Sequence, residues 1–265
     1  MSLRQEALLT LQHQATNGGI RLQPGAGKKA RQQLQTAMQR YSDARRRLLQ
    51  HELATHYRVA IFGSARLQPD DAEYKFIAEL AEAMVMNIDA DIITGGGPGL
   101  MEAAAVGAVA AEKALLAQGK QPTARRHGEG IIVPHEQGCN PHVQTFTMHA
   151  EFSSRLQAFA DISHAVYVGP GGIGTALEML MFVQLRQVHH LEPDFPIIVH
   201  PMHEPVFAAM AKTYGEQRAA TGNIPLVSSS DLNFIYSDDI DEIVGILKQH
   251  YTQWQWLFAP ANTAA

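Results

Sequence analysis

Residues 165–178 read AVYVGPGGIGTALE, and this stretch decides the fold. Its first four residues are apolar and predict a short buried strand, and a glycine-rich turn separates them from a helical segment that begins near Ile173. A strand, a turn and a helix in direct succession form the repeating unit of open parallel α/β sheets. The stretch therefore predicts one βα unit of such a sheet.

The same unit recurs along the chain from Arg58 onwards. Strands are predicted over 59–62, 91–94, 130–133, 143–148, 165–168, 196–200 and 234–236, and helices over 71–87, 99–117, 152–162, 173–187, 204–215 and 239–255. This alternation indicates the α/β class with a Rossmann-like, doubly wound parallel sheet. Residues 118–130 are predicted to form an exposed loop before the third strand.

The N-terminal part of the chain differs in charge and pattern. Residues 1–58 carry ten Lys and Arg against three Asp and Glu, whereas the remainder carries eleven against twenty-three. Helices are predicted over 2–16 and 28–55, joined by a linker over 18–27. We therefore predict a basic helical extension over residues 1–57 and a Rossmann-like nucleotide-binding domain over residues 58–265.

A basic extension of this kind suits three partners: the acidic body of the same chain, a partner subunit or a nucleic acid. Leucines that recur near helical spacing favour docking on protein. Aromatic residues do not interleave with the arginines, so nucleic-acid binding is not expected.

Composition excludes several classes of protein. A chain of 265 residues with 46% hydrophobic residues can bury a sizeable core, which excludes disorder as its main state. No apolar run approaches the roughly 18 to 20 residues that span a bilayer, and the N-terminus lacks the apolar region of a secretory signal. The single cysteine, Cys139, excludes an internal disulfide. We expect a cytoplasmic protein that does not bind membranes.

Three of the predicted strands are followed by glycine-rich turns, at the sheet edge where open parallel sheets bind ligands. Such turns expose backbone N–H groups at helix N-termini, which bind phosphate. The first turn taken alone is equally consistent with a tight turn that needs glycine for its shape. The candidate phosphate- and nucleotide-binding residues are Gly63, Ser64, Gly95, Gly96, Gly97, Gly99, Gly171, Gly172, Ile173, Gly174 and Thr175.

Two charged residues are candidates for the chemistry. Glu178 lies three residues after Thr175, and helical side chains lean towards the helix N-terminus, so its carboxylate is expected to face the bound ligand. The alternative is that Glu178 only compensates the dipole of its own helix. Arg155 precedes the last glycine turn and, from its position alone, is also consistent with a surface arginine. No set of residues has the spacing of a metal site.

The sequence PGGIGTALE at 170–178 resembles the PGGxGTxxE motif of the LOG family, the phosphoribohydrolases long labelled lysine decarboxylases. GGGPGLME at 95–102 resembles the other glycine motif of that family, and Arg155 stands where the family places its catalytic arginine. The resemblance implies a Rossmann-like homodimer that hydrolyses the N-glycosidic bond of a nucleoside 5'-monophosphate to free base and ribose 5-phosphate. It also implies that Arg155 and Glu178 are catalytic and that neither metal nor organic cofactor is needed.

The resemblance leaves the substrate open between an AMP-like nucleotide and a cytokinin riboside monophosphate. The segment after Arg155 is more similar to the bacterial nucleotide nucleosidases than to the cytokinin-activating branch. No residue stands out as the acid that protonates the leaving base, although His149, Glu151 and Asp161 lie nearby in sequence. The alternative function is a non-catalytic carrier of a phosphorylated ligand, similar to molybdenum cofactor carriers, and the presence of both Arg155 and Glu178 favours the enzyme.

Overall fold

The computed structural model describes residues 27–47, 56–131, 138–228, 231–232 and 234–258. The chain divides into two units, Met1–Arg45 and Arg46–Ala265. Helix α1 (Lys28–Arg47) accounts for the described part of the N-terminal region. The predicted helix over 2–16, most of the predicted linker and residues 48–55 lie outside the described residues. The predicted domain boundary between residues 57 and 58 therefore stays a prediction.

Within the described residues, the second unit contains one sheet of seven parallel strands in the order β4-β3-β2-β1-β5-β6-β7. The chain winds from β1 towards one edge and then returns to continue from β5 towards the other edge, which makes β1 and β5 the switch point of the sheet. This topology confirms the predicted Rossmann-like fold. The strands are β1 (Arg58–Phe62), β2 (Asp91–Thr94), β3 (Arg126–Ile131), β4 (Thr145–His149), β5 (Ala165–Val168), β6 (Ile197–Val199) and β7 (Ile235–Tyr236).

Helices cover both faces of the sheet. On one face, α2, α3 and α8 bury a core that includes Ile61, Ile92 and Tyr167, and on the other face α4 and α5 bury a core around Phe62 and Phe182. The helices are α2 (Ala72–Ile88), α3 (Leu100–Ala117), α4 (Phe152–Ile162), α5 (Ile173–Gln187), α6 (Glu204–Met210), α7 (Gln217–Ala220) and α8 (Ile240–Phe258).

The largest difference from the sequence prediction is at β3. Residues 126–130 were predicted as the end of a loop but form most of this strand. The sequence RHGEGI does not indicate a strand, because two of its residues are glycines, which are rare in strands. Their role is to make room for a neighbour: a Cβ on Gly128 or Gly130 would lie 2.5 or 2.2 Å from the ring of Phe146 on β4.

The helix predicted over 204–215 also differs from the structure. Helix α6 ends at Met210, and the chain continues as a π-helix over Ala211–Glu216 before α7. The sequence contains no signal for this change of hydrogen-bonding period, because the apolar spacing alone cannot distinguish the two helix types over so short a segment.

Asp91 fixes the start of β2 against the start of β3. Its carboxylate accepts hydrogen bonds from the backbone N–H of Arg125 at 2.8 Å and from Nε2 of His127 at 3.2 Å. Burial acts to raise the pKa of this carboxyl, but the hydrogen bonds from His127 and Arg125, together with the electrostatic attraction of His127 and His56, outweigh burial and hold the pKa below its ordinary value. The charged form therefore stabilises the fold at neutral pH, and this contribution is lost as the pH falls through the lowered pKa.

The packing of α3 on α2 depends on one glycine. A Cβ on Gly107 would lie 1.9 Å from the carbonyl oxygen of Ala78, so the backbones of the two helices approach too closely for any side chain at this position. Because α3 begins directly after the glycine turn over 95–99, this contact also sets the position of that turn.

We predict that Gly107→Ala lowers the free energy of unfolding by about 1–3 kcal/mol, because the added methyl group forces α2 and α3 apart. Gly245 in α8 is the matched control, since nothing lies within 4 Å of a Cβ built there. Gly245→Ala should raise stability by about 0.5–1 kcal/mol through better helix propensity. Urea unfolding of both variants tests the pair, and equal midpoints would contradict the close approach.

Candidate active site

The three glycine turns predicted from the sequence meet at the carboxyl edge of the sheet. The N–H of Ser64 donates to the carbonyl of Pro170 at 2.9 Å, and the N–H of Leu100 donates to the carbonyl of Ser64 at 2.9 Å. The side chain of Leu100 is fully buried beneath them, and a Cβ on Gly63 or Gly169 would lie 2.1 or 2.7 Å from its Cδ1. The turns therefore share one support and lie side by side at this edge of the sheet.

The second turn needs glycine for its backbone conformation. Gly96 and Gly99 have φ values of 74° and 68°, in the left-handed region that side chains rarely adopt. A Cβ on Gly99 would also lie 2.5 Å from the carbonyl oxygen of Ser64. The buried side chain of Asn140 donates through Nδ2 to the carbonyls of Gly96 at 3.1 Å and Gly97 at 2.9 Å. Asn140 thus holds the turn in shape, a role that the sequence did not predict.

The third turn leaves the N-terminus of α5 open. Gly172, Ile173 and Gly174 are exposed, and the N–H of Ala176 makes the bond to Gly172 that begins the helix. The N–H groups before Ala176 have no acceptor within the helix, which is the arrangement that binds phosphate groups. The side chain of Thr175 is buried at the same turn, and a Cβ on Gly171 would lie 2.1 Å from its Oγ1.

Local hydrogen bonds fix the first and third turns. The hydroxyl oxygen of Ser64 accepts the N–H of Arg66 at 3.1 Å, so this side chain shapes its own turn. Below the third turn, Nε2–H of the buried His203 donates to the carbonyl of Gly169 at 3.0 Å. Burial lowers the pKa of His200, which follows β6 at the same edge, so that ring is neutral at neutral pH.

The two predicted catalytic residues are in direct contact. Nη1 of Arg155, on α4, lies 2.9 Å from Oε1 of Glu178, on α5, and both side chains are about nine-tenths buried. The guanidinium also donates through Nε to the carbonyl of Glu129 at 2.7 Å and stacks 5.1 Å from the centroid of the Phe159 ring. The pair is therefore held from several sides.

The ion pair lies directly against the second glycine turn. A Cβ on Gly95 would lie 2.6 Å from Nη2 of Arg155, so only glycine leaves room for the guanidinium. Glu178 lies beyond the first turn of α5, which contains no acidic residue. This placement does not favour the alternative in which Glu178 only compensates the helix dipole, because that effect is confined to the first turn.

A second pair of ionisable residues borders this ion pair and was not predicted. His149 ends β4, and its Nε2 lies 2.6 Å from Oε2 of Glu129 on β3. The carbonyl of the same Glu129 accepts the bond from Arg155 described above. Both side chains of the pair are mostly buried. Glu129 was missed because residues 118–130 were predicted to form a loop. Only the pairing of β3 with β4 brings Glu129 to His149.

The other two acidic residues near Arg155 have local roles. Oδ1 of the buried Asp161 accepts a hydrogen bond from Nε2 of Gln157 at 2.8 Å. Oε2 of the exposed Glu151 accepts the hydroxyl of Ser153 at 3.2 Å. Neither contact involves the glycine turns.

Two kinds of feature are absent from the part of the chain that the structure describes. No group of three or more His, Cys, Asp or Glu side chains there is arranged to hold a metal ion. No helix there is long and apolar enough to cross a membrane.

Comparison with known sequences places the chain in a family. The family described as "Possible lysine decarboxylase" matches residues 101–233, half of the chain. A segment of 113 residues, 42% of this chain, is 33% identical to the pyrimidine/purine nucleotide 5'-monophosphate nucleosidase of Escherichia coli K12, and the protein of that name from strain O157:H7 matches equally. The matched segment spans 24% of the length of these relatives.

Comparison with solved structures gives more distant similarities. The molybdenum cofactor binding protein from Rippkaea orientalis superposes with a TM-score of 0.49 at 16% identity, covering 74% of this chain and 98% of that one. The Moco carrier protein from Chlamydomonas reinhardtii gives a TM-score of 0.49 at 16% identity, covering 75% and 99%.

The family match covers both Arg155 and the stretch PGGIGTALE. The last residue of that stretch is Glu178, which the structure places in contact with Arg155. The lysine decarboxylase description is the older label of the phosphoribohydrolases whose motifs this sequence carries. The chain therefore belongs to the LOG family.

Proposed function

We propose that this chain hydrolyses the N-glycosidic bond of a nucleoside 5'-monophosphate and releases the free base and ribose 5-phosphate. The observation that carries this proposal is the Arg155–Glu178 ion pair, 2.9 Å long, beside the open N-terminus of α5. An open helix N-terminus can bind the phosphate, a buried carboxylate can stabilise the positive charge that develops on the ribose, and a guanidinium can hold the substrate. The name of the matched E. coli proteins, which are nucleotide nucleosidases, supports the same reaction.

The phosphate of the substrate would bind at the third glycine turn. The backbone N–H groups of residues 171–175 and the hydroxyl of Thr175 supply donors, and the positive end of the helix dipole favours the anion. The exposed Gly172 and Gly174 carry no side chain that would block a phosphate from the backbone. The first and second turns, from Gly63 and Ser64 to Gly99, would border the sugar.

Glu178 would act at the ribose ring. Breaking the C1'–N bond leaves positive charge on the ring, and a carboxylate positioned beside it stabilises that charge in the transition state. The same carboxylate can orient the water whose oxygen bonds to C1'. Because Glu178 lies on the helix whose first turn binds the phosphate, the helix itself sets the distance between the two groups.

Arg155 would hold the substrate in position relative to the carboxylate of Glu178. Its planar guanidinium bonds Glu178 with one nitrogen and the carbonyl of Glu129 with another, so its orientation is fixed before substrate binds. The guanidinium also places a positive charge beside the carboxylate of Glu178. The base remains open between an AMP-like nucleotide and a cytokinin riboside monophosphate.

The decisive experiment is to incubate the purified protein with a panel of purine, pyrimidine and cytokinin riboside monophosphates and to assay free base and ribose 5-phosphate. We expect stoichiometric release of both products from at least one nucleotide. Tight binding of nucleotides with no release from any of them would favour the alternative, a carrier of a phosphorylated ligand.

We predict that Glu178→Gln lowers kcat by about 10²- to 10⁴-fold, because it removes the charge that stabilises the ribosyl cation while keeping the size of the side chain. Affinity for ribose 5-phosphate should persist, since the phosphate donors are unchanged. Glu79→Gln, at an exposed position of α2, is the control and should keep wild-type turnover. Near-wild-type turnover of Glu178→Gln would remove the catalytic assignment.

We predict that dialysis against EDTA leaves turnover unchanged. Backbone N–H groups and Arg155 already provide the recognition of phosphate that a divalent ion supplies in many phosphate-processing enzymes. Turnover is measured before and after dialysis. Loss of activity that a divalent cation restores would overturn this prediction.

We also propose that the protein forms a homodimer through α5. The sequence of this helix is apolar beyond what one core-facing stripe needs, and the structure divides it: Phe182 is buried, whereas Ile173, Leu177 and Leu180 are exposed. The exposed residues follow helical spacing and form a second apolar stripe, on the helix that carries Glu178. A second copy of the chain is the occupant that the family resemblance implies.

We predict that Leu180→Glu converts the dimer to a monomer, because it places a charge within the apolar stripe. Leu116→Glu on α3 is the matched control, since Leu116 is 48% exposed and Leu180 41% exposed. Light scattering of all three proteins at micromolar concentration tests this. A wild-type particle of 29 kDa would contradict the dimer outright.

A further inference from the structure

We propose that His149, hydrogen-bonded to Glu129, is the general acid that protonates the leaving base. This inference rests on the proposed nucleotide hydrolysis, which needs such an acid because most bases leave poorly as anions. The observation is the juxtaposition of a buried His–Glu pair with the Arg155–Glu178 ion pair, joined through Glu129.

The position of the pair across the sheet agrees with this role. The proposed phosphate site follows β5, and Arg155 extends from Glu178 across the second turn, which follows β2, to the carbonyl of Glu129 on β3. A nucleotide that binds with its phosphate on α5 and its ribose at Glu178 therefore directs its base towards β3 and β4. His149 is the last residue of β4, at the same carboxyl edge as the glycine turns.

The hydrogen bond defines which nitrogen can donate. An ionised carboxylate only accepts hydrogen bonds, so Nε2 of His149 carries the hydrogen shared with Glu129 at 2.6 Å. A second proton on the ring must then sit on Nδ1, for which the described residues offer no hydrogen-bond partner. Glu129 thus fixes the orientation of the ring and leaves Nδ1 available to the base of a bound nucleotide.

The burial of the His149–Glu129 pair supports the same role for His149. Glu129 is 8% exposed and lies in a strand that otherwise makes room for its neighbour with glycines. A buried ion pair is often no more stabilising than an apolar pair of the same size, so stability alone does not explain its presence. A positioned proton donor next to the proposed base site does explain it.

The step balances as follows. The C1'–N bond breaks and its electron pair goes to the base, while the proton on Nδ1 of His149 transfers to a ring nitrogen of that base. The oxygen of a water molecule bonds to C1', and one proton of that water is released. This proton returns the imidazole to its protonated form, so the net reaction consumes one water and yields the neutral base and ribose 5-phosphate.

The test compares substrates that do and do not need an acid. In 7-methylguanosine 5'-monophosphate and nicotinamide mononucleotide the base carries a positive charge and leaves as a neutral molecule without protonation. His149→Gln keeps a hydrogen-bond donor for Glu129 but cannot transfer a proton. It should lower kcat by about 10²- to 10⁴-fold for the natural nucleotide that the wild type cleaves best. For the two charged-base nucleotides the variant should keep close to the wild-type rate.

A series of halogenated purine nucleotides gives the same comparison if the wild type accepts neither charged base. The defect of His149→Gln should shrink as the substituted purine becomes a better leaving group. Glu129→Gln, which keeps an acceptor for Nε2–H but loses the charge, should show a smaller defect with the same dependence. His142→Gln, a half-buried histidine in the preceding loop, is the control and should match the wild type on every substrate.

The outcomes separate the two proposals. An equal loss of kcat on all leaving groups, with or without a lower unfolding temperature, would show a structural role for His149 and overturn the inference alone. Unchanged turnover of His149→Gln would also overturn it while leaving the proposed function intact. A wild-type protein that releases no base from any nucleotide would remove both.

Discussion

A guanidinium and a carboxylate, both largely removed from water, meet between α4 and α5, and the rest of the site is built round their contact. Each charge alone would cost several kcal/mol to bury, so Arg155 and Glu178 require one another. The contact in turn constrains the backbone, because the guanidinium occupies the space that a Cβ of Gly95 would fill. One ion pair therefore connects two helices on one face of the sheet with a turn that leads to a helix on the other face.

The glycine turns depend on a second chain of contacts that begins in the core. Gly107 lets α3 approach the backbone of α2, and this sets where α3 begins. Leu100 is the first residue of α3 and directly follows the second glycine turn. Its buried side chain also supports the turns that follow β1 and β5. Small residues in the turns thus leave backbone N–H groups accessible and allow the turns to pack on one side chain.

Much of this fold was predictable because its signals are local. The bounds of β2, α4, β5 and α5 match the predicted ones, since glycine or polar turns delimit each apolar run. Strand β3 was not predictable in the same way, because Gly128 and Gly130 are needed to leave room for the ring of Phe146 on a neighbouring strand. A contact of this kind is set by strand pairing, which a single sequence does not contain.

The same distinction between local signals and contacts set by the fold applies to the candidate site. The three glycine turns are strand–turn–helix units and were found from local sequence. The catalytic roles of Arg155 and Glu178 were implied by the family resemblance, and their contact was found only in the structure. The pairing of Glu129 with His149 was found only in the structure, because it depends on the strand register in which Glu129 faces Thr147 and Ile131 faces His149. Residues that recognise a common group such as phosphate are thus the more predictable ones.

The charges of the site are arranged along one direction, and this arrangement suits a reaction that separates charge. The open end of α5 favours an anion, Glu178 places a negative charge further along the same helix, and Arg155 places a positive charge beyond it. In the proposed reaction, positive charge develops at C1' as the glycosidic bond breaks, and a carboxylate near the proposed phosphate site stabilises that charge. In the proposed orientation of the nucleotide, the electron pair of that bond moves towards β3 and β4. The His149–Glu129 pair lies at that end of the site, where the proposed reaction needs a proton, so the order of the groups across the sheet agrees with the proposed steps.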